Sequence, residues 1–353
     1  MSEEGRRRTG GPLRHLLKWL AVPLAAALVL GACSKAPGED AAAGAGAKDG
    51  RFVLRYEGSG SFVSLPELAA DLGFFGRVKL EWRGDNFSGP SSIQNVVTGD
   101  TDFGGAFDGA IVKLIAAGAP IRSVVVSYGI DAQQEGGFYV LEGSSIRTAR
   151  DLIGRKVAVN TLGAHSEFIL REYLDRAGLT PEEARQVTLV VIPPVNGEQV
   201  LREGQVEVAT LGGILRDKAL ERGGIRKLFS DHDLYGAFNA GSYVVRRELI
   251  RDRPEVVRDF VQGVARAVEW ERDTPVEQVR ERFADIIRRR GRNENTDLVR
   301  YWKTVGIHTR GGRIEAREIQ VWIDWLVKAG ELSPGQVAAS DVFTNEFNLP
   351  DPN

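Results

Sequence analysis

Residues 88–110 read Ser-Gly-Pro-Ser-Ser-Ile-Gln-Asn-Val-Val-Thr-Gly-Asp-Thr-Asp-Phe-Gly-Gly-Ala-Phe-Asp-Gly-Ala, and they constrain the fold more than any other stretch. Ser91 or Ser92 is placed to cap a helix that carries Ile93, Val96 and Val97 on one side and is closed by Thr98-Gly99-Asp100. Asp102, Phe103 and Gly104 read as a short buried strand. Gly105 and Gly109 then flank Phe107 and Asp108 ahead of a second apolar helix over 111–117. Two helix starts this close to strand ends turn free backbone N–H groups and positive dipole ends toward one spot. Such a site holds a small polar ligand with backbone and needs no catalytic groups.

The chain around this stretch alternates strand and helix. Residues 52–56 and 78–82 read as strands, residues 64–74 as a helix, and residues 121–127 as an apolar strand of the parallel type. This pattern predicts an α/β fold with an open sheet, in which ligands sit beyond the carboxyl ends of the strands. Ser59, Gly60, Ser61, Phe62, Ser91, Phe107 and Asp108 then converge on one crevice. The turn Glu57-Gly58-Ser59-Gly60-Ser61 lacks the Gly-Lys-Ser/Thr ending of a phosphate loop, which leaves a ligand loop or a plain strand-to-helix turn.

The first 32 residues read as a signal peptide. Arg6, Arg7, Arg8, Arg14 and Lys18 make a basic start, and the apolar run over 19–30 is shorter than the roughly 20 residues a membrane span needs. Leu30-Gly31-Ala32-Cys33 is similar to a bacterial lipobox, which predicts lipid attachment at Cys33 and an extracytoplasmic location, in the periplasm or on the outer face of the cell membrane. Cys33 is the only cysteine, so no disulfide framework and no further thiol chemistry are expected. Residues 33–50, rich in Ala and Gly, read as a flexible tether. The remaining body, about 300 residues, is long for one core and suits two lobes. Lys plus Arg total 46 against 48 Asp plus Glu, a balance that gives no basic footprint for nucleic acid. The arginines of 280–292 alternate with Glu281 and Asp285, as on a solvated, salt-bridged helix face.

Gly89-Pro90, Gly99-Asp100 and Asp102-Phe103-Gly104 together resemble the central signature of the solute-binding proteins of ABC importers for nitrate, sulfonate, taurine and thiamine-precursor pyrimidines. Asp-Phe-Gly alone also occurs in kinases, but no glycine-rich kinase loop, strand lysine or His-Arg-Asp loop accompanies it. Ser145-Ile146, Asp151-Leu152, Gly154, Lys156 and Val157 resemble the way this family passes into its second lobe. Gly163, Ala164, His165 and Ser166 match its small-residue turn, which implies Ser166 as a hydroxyl contact and helix cap and His165 as a ring contact. Glu207 and Val208 depart from the family's usual Asp-Ala. Leu211-Gly212-Gly213 replaces a segment commonly aromatic, so Gly212 opens space at the site for a ligand unlike the small sulfonates.

The resemblance covers nearly all of 51–353 and implies the type II periplasmic-binding-protein fold, two open-sheet α/β lobes joined by a two-strand hinge. Lobe one is expected over 51–143 and 240–353, and lobe two, inserted, over 144–239, with strands near 137–141 and 240–246 as the hinge. Helices are expected at 255–272, 276–290, 298–305 and 316–329, the last with Trp322 and Trp325 in the core, and 341–347 is expected to strap back onto the lobes.

The function so implied is a lipid-anchored extracytoplasmic receptor that captures a small polar solute, sulfonate-, nitrate-, taurine- or pyrimidine-like, and passes it to a permease served by a separate ATPase. No enzymatic activity, cofactor or metal is expected: His232 and His308 have no ligand spacing around them, and no nucleophile elbow or His-Glu-X-X-His helix occurs. Two alternatives share the fold, a sensor or adaptor domain for a membrane partner and a thiamine-pyrimidine-synthase-like enzyme, although the cysteine-rich motif of the latter is missing. His165 and backbone amides suit an anion, whereas Asp108 and Glu57 suit an amine or a pyrimidine nitrogen, and the ligand's charge stays open.

Overall fold

A computed structural model describes residues 50–349 apart from Asn293, and the signal-like segment, Cys33 and the tether up to residue 49 lie outside the described residues. Strands and helices alternate as β1 (Phe52–Gly58), α1 (Leu65–Asp71), β2 (Val78–Asp85), α2 (Gly89–Thr98), β3 (Phe103–Phe107), α3 (Asp108–Ala116) and β4 (Ile121–Ile130). The chain crosses to β5 (Gly136–Leu141), β6 (Lys156–Val159), α4 (His165–Arg176), α5 (Pro181–Ala184), β7 (Thr188–Val191), α6 (Gly197–Arg202), β8 (Val208–Gly212), α7 (Gly213–Glu221) and β9 (Ile225–Ser230). It returns through α8 (Asp231–Tyr235) to β10 (Phe238–Arg246), and ends in α9 (Arg247–Asp252), α10 (Pro254–Asp273), α11 (Val276–Arg289), α12 (Ala316–Lys328) and α13 (Ala339–Val342).

The strands form open sheets. β1 and β2 pair in parallel, β3 and β4 flank β10, and a five-stranded sheet runs β7-β6-β8-β5-β9. β4 was expected to be of the parallel type, but it pairs antiparallel with β10. Most of its side chains are buried, so its apolar run is the one a parallel strand would show. The expected hinge strands, β5 and β10, belong to different sheets. The sheets are instead connected through 131–135 and 231–237, where the Gly136 N–H donates to the Asp231 carboxylate at 2.9 and 3.1 Å. Next to the first crossing, a Cβ on Gly129 would stand 2.2 Å from the Gly306 carbonyl oxygen, so only glycine permits this approach.

Asp102 joins β1, β3 and β10. Its carboxylate is fully buried and accepts from the Arg55 backbone N–H (2.8 Å), from the Arg55 guanidinium (2.9 and 2.8 Å) and from Arg246 (3.0 Å). The Asp102 N–H in turn donates to the Arg55 carbonyl at 2.8 Å. Arg246 also donates to the carbonyls of Val96 and Thr101, at the end of α2 and the turn before β3. Burial alone would raise the Asp102 pKa, but the hydrogen bonds and charge of Arg55, with Arg246, hold it below the ordinary carboxylate value.

Helix starts follow local chemistry. Ser64 and Glu67 form a capping box at α1. α2 begins earlier than expected: Ser88 is its cap, accepting from the Ser91 N–H at 3.3 Å, and Pro90 occupies the first turn together with Ser91 and Ser92. Of the helix expected over 298–305 only a single 3-10 turn, Val299–Tyr301, forms. Trp302 leaves that turn to meet Phe283 edge-on at 5.6 Å. Trp322 is buried against Phe107 at 4.6 Å, as expected of a core residue, while Trp325 is half-buried and donates to Glu172 at 2.9 Å. The closing segment does strap back, for Phe343 bridges to Ser123 and the Thr344 N–H donates to the Ser123 carbonyl at 3.0 Å.

Removing the Asp102 carboxylate leaves Arg55 without its carboxylate and Arg246 with only the Val96 and Thr101 carbonyls, a loss of about 3 kcal/mol. Asp102→Ala is therefore expected to lower the urea midpoint of unfolding by an amount corresponding to that loss. A midpoint unchanged from the parent would show that the junction carries no stability.

Candidate functional site

One cavity of about 630 Å3 opens where the five-stranded sheet faces the sheets of β1–β4 and β10. Helices α1, α2, α3, α4, α7 and α8 begin at its wall, with Leu65, Gly89, Phe107, His165, Gly213 and Asp231 at or beside their first residues. Seven of the expected contacts line it: Ser59, Ser61, Phe62, Phe107, His165, Ser166 and Gly212. Gly60, Ser91, Asp108 and Gly163 do not. The early start of α2 turns Ser88 and Ser92 to the cavity in place of Ser91. Asp108 is buried one residue behind Phe107. Ser166 lies within the first turn of α4, whose cap position is Ala164 without a side-chain acceptor, so the capping role expected of Ser166 is absent. The Gly163 N–H is taken by Glu167 at 2.8 Å.

His165 is the centre of the aromatic wall. Its ring stacks on Phe107 at 4.8 Å, its Nδ1 lies 3.4 Å from the Tyr128 hydroxyl, and its Nε2 has no hydrogen-bond partner, standing 3.5 Å from Asp231 Oδ2. Burial pushes the imidazole down to about 4 and so keeps it neutral. Burial pushes Asp231 up to about 7, against the hydrogen bonds from Gly136 and His232. Asp108 is likewise raised to about 7 by burial, with one carboxyl oxygen unpartnered. At the opposite wall Glu57 accepts from Asn86 at 2.6 Å and Asn95 at 2.9 Å. Ser61 adopts φ 63°, unusual for a side-chain-bearing residue, and its N–H donates to Glu294 at 2.7 Å.

Acidic groups dominate the charge of the lining. Glu57, Glu67, Glu135, Asp231 and Glu271 contribute to it, and among the described residues no Lys or Arg does. Arg290 and Arg292 engage Glu67, and Lys227 and Arg216 engage Glu135. Glu57, Asp231 and Glu271 have no Lys or Arg bridged to them among the described residues. Asn86, Tyr128, Gln134, Thr210 and Glu271 also line the cavity, and nothing in the local sequence of the last four marks them. Asn86 follows the strand Val78–Asp85 and could have been found as the first residue beyond its carboxyl end.

Two acidic clusters answer the expectation that His232 and His308 stand alone. Glu135 and Asp233 approach His232, and Glu315 and Glu318 approach His308; only Glu135 comes from a distant part of the chain. In the first, Lys227 donates to both carboxylates at 3.1 and 3.2 Å. In the second, Glu318 is shared between His308 at 2.7 Å and the Asn239 amides at 2.8 and 3.0 Å. Internal partners thus occupy both.

The rim already joins the two sides of the cavity. The Ser88 hydroxyl donates to Thr161 Oγ1 at 3.4 Å, and the Asn160 amide donates to the Phe87 carbonyl at 3.3 Å. No helix among the described residues is long and apolar enough to cross a membrane.

No curated protein sequence matches the chain. The family model described as NMT1/THI5 like matches residues 68–278. Among solved structures, the chain is similar to the alkanesulfonate-binding protein SsuA from Xanthomonas axonopodis pv. citri, bound to MOPS, at 22% identity and a TM-score of 0.63 over 82% of this chain and 98% of that one. It is similar to the periplasmic nitrate-binding protein NrtA from Synechocystis PCC 6803 at 14% identity and a TM-score of 0.63, over 84% and 86%. The desulfurization enzyme DSZB matches at 18% identity and a TM-score of 0.57, over 84% and 97%.

The buried acids predict how stability depends on pH. An unfolded carboxyl loses its proton near pH 4, whereas Asp108 and Asp231 hold theirs to about 7 and Glu271 to about 8. The folded state therefore binds more protons in that window, and stability falls as pH rises through it. His165 works in the opposite sense, but only below its unfolded value of about 6.5. The ligand-free chain is expected to melt higher at about pH 6.5 than at about pH 8 in scanning calorimetry. A melting temperature that rises with pH over this interval would contradict the buried-acid account.

Proposed function

Since the chain belongs to the NMT1/THI5-like family and has the open-sheet α/β fold of periplasmic binding proteins, we propose that it is the lipid-anchored extracytoplasmic solute receptor of an ABC importer. The observation that carries this reading is the cavity between the facing sheets, walled by helix starts and bridged at its rim from both sides. In this reading the described body comprises two lobes. One holds β1–β4, β10 and the C-terminal helices, and the other holds β5–β9, inserted between crossings at 131–135 and 231–237. These crossings act as the hinge and shift the inserted lobe slightly from the expected 144–239. Ser59, Ser61, Phe62, Phe107, His165, Ser166 and Gly212 are its ligand contacts. Closure would desolvate the solute, and the closed form would dock on a permease powered by a separate ATPase subunit. Residues 1–32 would direct export, and Cys33 would carry the lipid at the end of the 33–50 tether; both assignments rest on the sequence.

The solute would be small and polar. Sulfonates and nitrate are the cargo named for structural relatives, whereas the acidic lining suits an aminopyrimidine or another nitrogen base. An anion would have only backbone amides, hydroxyls and a neutral imidazole to hold it. The fold also serves a desulfurization enzyme. Here the described residues include no cysteine, and the cavity groups are read as binding groups.

A thermal-melting panel of nitrate, taurine, alkanesulfonates and aminopyrimidines tests the proposal. A true ligand at about a hundred times its dissociation constant stabilises the fold by about 2.7 kcal/mol, a rise of several degrees. Ser166→Trp is expected to abolish the shift. A shift that survives this substitution would place the solute outside the cavity, and no shift with any compound would favour the sensor or adaptor reading.

A further inference from the structure

Glu271, near the end of α10, is only 7% exposed and has no hydrogen bond or ion pair among the described residues, yet it lines the cavity. The charge of Glu271 acts on the Tyr243 hydroxyl, and the same cavity is also lined by Phe283, Ile287, Val299 and Trp302. Glu67 lines the same cavity and is treated very differently, with Arg290, Arg292 and the Tyr56 hydroxyl all donating to it. A buried carboxyl without a donor is costly, and a protein that needed only volume there would be better served by an apolar side chain. The missing donor is therefore sought in what enters the cavity.

We propose that the arm of the cavity lined by Glu271 is a distinct subsite for the protonated amine of an aromatic solute, with Glu271 as its counter-ion and Trp302 and Phe283, which share the lining, as its aromatic wall. The proposal rests on solute capture in this cavity and adds its chemical class. The edge-on pair of Trp302 and Phe283 offers an apolar surface for a ring and ring faces for a cation. Among the described residues no Lys or Arg lines the cavity, Arg290 and Arg292 are bound to Glu67, and burial raises the pKa of Tyr243, which stays neutral. Burial pushes the Glu271 carboxyl up to about 8, so in the empty arm at neutral pH it is mostly protonated. An ammonium ion would displace that proton to solvent, leaving a carboxylate and an ammonium in contact.

The test uses calorimetric titration of the purified chain with benzylamine, phenethylamine and tryptamine, with 3-ethylindole as the ring lacking the nitrogen. At least one amine is expected to bind, with tryptamine about tenfold or more tighter than 3-ethylindole, as a charge-assisted hydrogen bond requires. Glu271→Gln, which keeps the volume, is expected to remove that advantage and leave 3-ethylindole unaffected. Titrations of the parent chain in buffers of different ionisation enthalpy need no variant, and are expected to show proton release on amine binding and none with 3-ethylindole. Equal binding of tryptamine and 3-ethylindole, an unchanged tryptamine affinity in Glu271→Gln, or amine binding without proton release would overturn the subsite. A sulfonate or aminopyrimidine that binds while all three amines fail would overturn it too, and would leave solute capture standing. Failure of every compound would count against both.

Discussion

The Asp102 junction is the interaction on which the rest of the molecule depends. A single buried carboxylate, held below its usual pKa by Arg55 and Arg246, ties strands that come from the first and last parts of this body. β10 lies between β3 and β4 and reaches them only after the chain has built the five-stranded sheet. Without a directional anchor at Asp102, burial alone would leave the register of β1, β3 and β10 to apolar side chains, which are not specific in direction. With it, the carboxyl end of β3 and the start of α3 are fixed, and Phe107 stands where it can stack on His165.

The site that results has an unusual electrostatic character. Its hydroxyls, amides and aromatic rings suit a polar solute, but among the described residues Glu57, Asp231 and Glu271 have no Lys or Arg bridged to them, and burial raises the pKa of Asp231 and Glu271. Desolvation keeps His165 neutral and some of these acids partly protonated, so the empty cavity carries less charge than its composition suggests. A ligand that brings positive charge or donors into this cavity gains more than one that brings a full negative charge.

Much of this was legible in the sequence. The Gly89-Pro90 helix start, the Asp102-Phe103-Gly104 strand and the His165-Ser166 helix start each announce themselves locally, and seven expected contacts do meet at one cavity. The misreadings share a cause. β4 was read as parallel because the burial of both faces, rather than strand direction, makes a run apolar. Ser91 or Ser92 is the expected cap, but the helix starts at Gly89 with Pro90 in its first turn, which makes Ser88 the cap. Glu271 sits on an amphipathic helix whose neighbours in sequence are ordinary, so its lack of a partner is invisible until the cavity it lines has formed. Glu135 likewise reaches His232 from a distant part of the chain, whereas Asp233, Glu315 and Glu318 lie close in sequence to their histidines.

The central claim is that the two sides of the cavity close on a solute, with the rim bonds Ser88–Thr161 and Asn160–Phe87 made on closure. Small-angle X-ray scattering of the chain, with and without a saturating compound that raises its melting temperature, tests this most directly. The account predicts a smaller radius of gyration in the presence of the compound, and a weaker contraction in Asn160→Ala. An unchanged radius at demonstrated saturation would contradict it.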